Sequence, residues 1–303
     1  MVARQSQMLW ILLLFSLSAP ALAAPVLVEG RWLETRLDDA RIVIVDMSDD
    51  DMQYQRFHLP NAVRLPYQAL VKPRVIGDPR KEDSPRYPVR LDDKELAGLL
   101  GRLGITREKY VVAYDDVGGL NAARLFWELE RIGHPRVSVL EGGLVRWVLD
   151  GRKVVNAAPK PKPASYVLEA GGRANEASLD DVRAARDKRA ALLLDVRTRD
   201  EYRGERKDPR SGHIPGARWW EWEQALAPDK GFQLRDEGEL RRRLKSAGVT
   251  GSKQPVITYC RSGHRAAHTY LTLRSLGFEH VRVYAASMNE YGLLKAEPVK
   301  QAK

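Results

Sequence analysis

Four short stretches of the chain occur twice, in the same order and at nearly the same separation. IVIVD, ending at Asp46, is answered by ALLLD, ending at Asp195, and FHLPNAVRL, with His58, by GHIPGARWW, with His213. YVVAYD, ending at Asp115, is answered by PVITYC, ending at Cys260, and RIGHPRVSVL, with Gly133, by SLGFEHVRVY, with Gly277. The offsets are 149, 155, 145 and 144 residues, steady enough to require a duplicated unit with small insertions. At 303 residues the chain has room for two domains, since about 100–200 residues make one. Between the copies KVVNAAPKPKPASY, residues 153–166, alternates proline with lysine and reads as the linker. The domains are then 24–152 and 167–303.

Each copy alternates short β-rich runs with helical patterns. VVAY (111–114) is a buried-strand run, after which Ala122, Leu125, Phe126, Leu129 and Ile132 repeat at helical spacing up to Gly133. VSVL (137–140) is the next strand. The second copy repeats this with VITY, a helix carrying Ala267, Tyr270 and Leu271, then Gly277 and VRVY. Strand, helix, strand predicts an α/β fold, each copy an open parallel sheet with helices on both faces.

The first 23 residues stand outside this pattern. MVARQSQ carries one positive charge, MLWILLLFSLS is apolar, and Ala21 and Ala23 satisfy the small-x-small rule, so a signal peptide cut after Ala23 is expected. The apolar run is short for a membrane span, which needs about 20 residues; an uncleaved anchor is the alternative. The mature chain is expected in a bacterial periplasm, with no stable membrane insertion after cleavage. Without Arg4 it holds 49 basic and 40 acidic residues. No basic run with interleaved aromatics accompanies that charge, so small anions suit it better than nucleic acid.

Export sharpens the meaning of Cys260, the only cysteine. One thiol cannot close an intramolecular disulfide, so any transfer chemistry must be resolved by an outside molecule. In CRSGHR (260–265) the cysteine lies where a strand hands over to a helix, the place where ligand chemistry collects in open α/β sheets. Loop amides, the helix N-terminus, Arg261 and Arg265 together favour a thiolate and an anionic substrate. The plainer alternative, an inert buried cysteine, fits this charged setting poorly. Asp115 holds the cysteine's place in the first copy, and a carboxylate cannot attack sulfur. Ser48 stands where the second copy has Arg197, so the first copy lacks both nucleophile and cation, and one active site is expected.

These residues resemble the rhodanese family in its tandem-domain form, the thiosulfate and 3-mercaptopyruvate sulfurtransferases. The resemblance rests on DVRTRDEYRG (195–204), GHIPGA (212–217), CRSGHR, and, in the first copy, YD, AARLFWEL, GH and VSVLEGG in order. It implies two rhodanese-like domains, the first catalytically inactive. Cys260 would take a sulfane sulfur from a small anionic donor as a persulfide and pass it to cyanide or a thiol acceptor. The amides of residues 261–265 (Arg261, Ser262, Gly263, His264, Arg265) would hold the sulfur, and Arg261 and Arg265 would bind the donor's sulfonate oxygens. Arg197 would wall the pocket; the other reading makes it a structural arginine bridging loops. His264 either tunes the site near neutral pH or simply faces solvent.

Four residues separate Cys260 from Arg265. Phosphatases and arsenate reductases on this scaffold keep five, so the smaller ring suits sulfur better than a tetrahedral oxyanion. A cationic loop suits thiosulfate better than mercaptopyruvate, whose loops are neutral and small, although Ser262 and Arg265 also depart from the thiosulfate pattern. The alternatives are a 3-mercaptopyruvate sulfurtransferase or a non-catalytic sulfur-carrier or docking module. YAASMNEY (284–291) departs from the family's YDGSWxEW, which bears on local packing. Trp219, Trp220 and Trp222 either wall the pocket, meet a partner or pack in the core. His213 and Asp195 recur as His58 and Asp46 in the inactive copy, which favours a structural role. Six scattered histidines and one cysteine form no metal-binding pattern, and no P-loop or dinucleotide fingerprint calls for a cofactor.

Overall fold

The structure, a computed structural model, describes residues 24–75, 80–81, 86–208 and 210–302. Each copy builds its own parallel sheet. The first runs in the order Leu27–Val28, Val137–Leu140, Tyr110–Tyr114, Ile42–Asp46, Val63–Arg64. In the second the order is Val281–Val283, Val256–Tyr259, Leu192–Asp195, Arg218–Trp219. A single parallel bridge between Glu176 and Val283 stands where the first copy has its edge strand. The central strands are apolar runs buried along their length, the composition a parallel sheet covered by helices requires.

Register fixes the correspondence between the copies. Asp46 pairs with Tyr114 and Asp195 with Tyr259. Asp115 and Cys260 therefore each lie one residue beyond the same rung, at the strand's carboxyl end. The helices that follow, Leu120–Arg131 and His264–Ser275, pack against each other across the seam between the domains. Phe126, Trp127 and Leu129 join Tyr270, Leu271, Trp220 and Trp222 in one core common to both domains. Two smaller cores, around Trp147 and around Tyr284, fill the outer faces.

Polar contacts lock the same seam. Trp127 Nε1 donates to Asn175 O and Asn175 Nδ2 returns a bond to Trp127 O, both at 3.1 Å. Tyr270 donates to Glu130 at 2.5 Å, and Arg274 pairs with that carboxylate at 3.1 Å. Arg124, in the first helix, reaches Ser262 O at 3.4 Å, while His268, in the second, meets Gly118 O at 3.1 Å. Each helix thus touches the loop that opens the other.

The segment 153–166 lies along the first domain. Val155 bridges to His58, Ala164 N donates to Gly101 O at 2.8 Å, and Tyr166 OH meets His134 Nδ1 at 3.0 Å. Lys300 bridges to His213 in the same way at the end of the second copy. Among the described residues no helix is long and apolar enough to cross a membrane. The expected signal segment, 1–23, lies outside the described residues.

Candidate active site

Cys260 follows the strand Val256–Tyr259 and is buried. Its amide donates to Ser287 Oγ at 3.0 Å, and that hydroxyl donates onward to Tyr284 O at 2.7 Å. Met288 N and Asn289 N take the carbonyls of Cys260 and Arg261 at 3.2 and 3.0 Å. The YAASMNEY segment therefore braces the cysteine loop from behind. Ser287 holds a φ of 52°, a conformation sustained only because these bonds over-determine it.

Gly263 caps the following helix at φ 80°. A Cβ there would stand 2.7 Å from Ala285 O and 2.8 Å from Ala285 Cα, so only glycine lets the loop close onto its brace. Among the described residues the amides of 261–265 hydrogen-bond to no carbonyl. They are the unspent donors of a helix N-terminus and its loop, disposed for an anion.

The first copy shows such a loop already filled. Asp115 Oδ1 accepts from the amides of Val117 and Gly119 at 2.9 and 2.8 Å, and Oδ2 from Asn121 and Ala122 at 2.7 and 2.9 Å. The carboxylate is fully buried, and burial pushes it up to about 6 despite four N–H donors. Its loop is one residue longer, since four steps separate Asp115 from the cap Gly119 and three separate Cys260 from Gly263. One loop is plugged by its own anion, whereas the other has none.

The cations differ from expectation. Both terminal nitrogens of Arg265 are taken by Glu201, at 2.6 and 2.9 Å, so Arg265 is not poised for the donor's oxygens. Burial alone would raise the Glu201 carboxyl, but Arg265 overrides it and holds it at about 2. Arg197 is likewise committed, chelating Asp195 at 2.9 and 2.5 Å and donating to Gly212 O at 2.6 Å. It borders the cleft while bridging two loops, which joins the two readings of it. Arg261 is exposed, and its guanidinium pairs with nothing among the described residues. It lies on a cleft of about 940 Å³ beside Arg197, Glu201, Met288 and Asn289, with Arg86 and Tyr87 contributed by the first domain.

His264 is only partly exposed and does not titrate near neutrality. It stacks on Tyr67 of the first domain with centroids 3.7 Å apart, and burial, helped by Arg124 and Arg265, pushes it down to about 3. His213 and Asp195 are structural. His213 stacks on Tyr202 and meets its carbonyl at 2.8 Å, as His58 does with Tyr54 at 2.7 Å. The first copy also regains a cation from elsewhere: Arg64, on the strand beside Asp46, approaches Asp46 at 3.8 Å and donates to Ser48 O. Trp220 and Trp222 are core residues, Trp222 edge-on to His268 at 4.9 Å, and Trp219 donates to Arg197 O at 2.9 Å.

Sequence reasoning missed Ser287, Glu201, Tyr67 and Arg124. Ser287 and Glu201 stood inside quoted motifs and were discoverable as polar residues flanking the nucleophile. Tyr67 and Arg124 carried no signal, because only the packing of one domain on the other brings them to the loop. Among the described residues no cluster of three metal-ligating side chains occurs.

The family model described as Rhodanese-like domain matches residues 29–150 and 178–293. A thiosulfate sulfurtransferase of Azotobacter vinelandii is 32% identical over 91% of this chain and 97% of its own length. A protein of Thermus thermophilus named as a sulfur carrier protein is 31% identical over 92% of this chain and 97% of its own. SseA of Escherichia coli, one of the 3-mercaptopyruvate sulfotransferases, superposes with a TM-score of 0.71 at 26% identity, covering 87% of this chain and 99% of that one.

Proposed function

The chain belongs to the rhodanese family, and from that premise we propose that it moves a sulfane sulfur from thiosulfate to cyanide or a thiol through a persulfide on Cys260. It is a sulfurtransferase enzyme, and its one active site falls to the second domain, which alone carries a cysteine. The Cys260 thiolate attacks the outer sulfur of thiosulfate; a Cys–S–S bond forms, the S–SO₃ bond breaks, and sulfite leaves with the electron pair. Cyanide or a thiolate then attacks the terminal sulfur and returns Cys260 to the thiolate. The amides of 261–265 stabilise the charge on the sulfurs, and Arg261 attracts the dianion at the cleft.

The observation that carries this reading is the contrast between the loops. Asp115 demonstrates that this loop architecture holds an anion with four amides, and the Cys260 loop leaves its amides unspent. The exposed cation at Arg261, without a partner among the described residues, favours thiosulfate over mercaptopyruvate.

Intact mass of the purified mature protein after mixing with thiosulfate tests the reading, beside Cys260→Ser. One added sulfur atom, removed by cyanide and absent from the variant, is the expected result. Loading by 3-mercaptopyruvate but not thiosulfate would replace the donor; loading by neither would leave a docking module. We also place the enzyme in the periplasm, on the charge, apolar run and Ala-x-Ala site of residues 1–23. A mature chain that does not begin at Ala24 when isolated from a periplasmic extract would refute that.

A further inference from the structure

Two polar atoms at the catalytic loop are shut away from solvent without a hydrogen bond: Tyr67 Oη and His264 Nε2. Buried polar atoms in native proteins nearly always have partners, and an orphan asks for an explanation. Other orphans, such as Trp220 Nε1 and His58 Nε2, lie apart within structural packing. These two sit on rings stacked face to face, 3.7 Å apart and within 4° of parallel, one ring from each domain. Tyr67 opens the short turn Tyr67–Leu70. Burial raises its phenol, against the pull of Arg124 and of the Ser262 side chain, which lies close to it without meeting hydrogen-bond geometry, and Cys260 is near enough to raise it further. With His264 held down at about 3, both groups stay neutral at working pH.

We propose that Tyr67 and His264 form a clamp, assembled across the domain seam, that hydrogen-bonds the anionic oxygen end of the sulfur donor while Cys260 attacks its sulfur. The proposal rests on the sulfurtransferase reading above and extends it to the other end of the donor. Arg265 is spent on Glu201 and Arg197 on Asp195, so neither guanidinium serves these oxygens in the resting protein. The phenol hydroxyl, and the imidazole with its proton on Nε2, are donors that lack an acceptor until the donor molecule supplies one. Thiosulfate brings sulfonate oxygens and 3-mercaptopyruvate a carboxylate. The persulfide left behind has no oxygen, so the clamp acts on loading and not on unloading.

Tyr67→Phe removes only the hydroxyl and keeps the ring stack. The two half-reactions are measured separately by rapid mixing: loading from limiting thiosulfate or 3-mercaptopyruvate, then unloading of the persulfide by cyanide. Loading should slow by about ten- to a hundredfold, the worth of one hydrogen bond to an anion. Unloading should stay within about twofold, and the thermal midpoint should hold or rise, since an orphaned hydroxyl is removed. Slowing with both donors, or with one alone, supports the clamp and identifies which oxygens it reads. Unchanged loading with both donors overturns it, as does equal slowing of loading and unloading, or slowing together with a lowered midpoint. If the wild type itself gains no sulfur from either donor, the sulfurtransferase reading falls before the variant is consulted.

Discussion

Replacing Asp115 by alanine tests whether the loop of the first domain is an anion hole closed by its own side chain. The substitution orphans four amides, three of them buried and that of Val117 part-exposed, that now bond the carboxylate at 2.7–2.9 Å. At about 1–3 kcal/mol for each lost partner the gross cost is about 4–12 kcal/mol. Against this, burial lifts Asp115 from 3.8 to about 6, and its removal recovers about 3 kcal/mol at neutral pH. With water restoring part of the lost bonding, the net loss is about 3–5 kcal/mol, or about 10 °C in thermal midpoint for a chain of this size. Because folding raises this carboxyl above its unfolded value, the penalty is absent below about 4 and complete above about 6. The wild type should therefore gain on the variant, by up to about 3 kcal/mol, as pH falls from 7 to 4. The vacated loop should accept a carboxylate from solution. Thermal melts of Asp115→Ala in formate, with neutral formamide at equal concentration as control, should show recovery with formate alone. A midpoint within about 2 °C of wild type, a change well under 1–2 kcal/mol, or equal recovery with formamide, would refute the anion-hole account of both loops.

Two further substitutions probe the cysteine loop directly. Ser287→Ala leaves the buried Cys260 amide without its acceptor; it should cost about 1–3 kcal/mol in chemical denaturation and slow persulfide formation, because the nucleophile loses its brace. Arg261→Ala removes an exposed cation that pairs with nothing among the described residues, so stability should be unchanged within about 0.5 kcal/mol. Its KM for thiosulfate should rise and the salt dependence of kcat/KM should flatten.

The fold was legible because duplication and parallel sheets both leave local marks. A repeated strand run and a repeated glycine set the register, and the structure pairs Asp46 with Tyr114 and Asp195 with Tyr259 as that register requires. The position of Cys260 and the loss of the nucleophile at Asp115 follow from that alignment alone. The fate of the arginines did not. Arg265 meets Glu201 from 64 residues away, and nothing in the spacing of CRSGHR says whether a guanidinium faces a ligand or a carboxylate of its own chain. The burial of His264 was illegible for a related reason. Loop position suggested exposure, but the surface that covers it is a tyrosine of the other domain, and no periodicity within one copy reports what the second copy lays on top of it. The plug at Asp115 was half visible: its identity was in the sequence, whereas its four amides became apparent only with the backbone.

Arg124 and His268 stand at matching places in the two helices, 144 residues apart, and each reaches into the loop that opens the other. Exchange of that kind is the signature of a twofold contact between identical subunits, here contained within one chain. Inheritance of the two halves is coupled as a result. The first half carries a carboxylate, Asp115, where the second carries its cysteine, yet it supplies a wall, a tyrosine and part of the interior to the cysteine-bearing half. A chain shortened to the cysteine-bearing copy would bare the apolar face of His264–Ser275 and should lose stability with it.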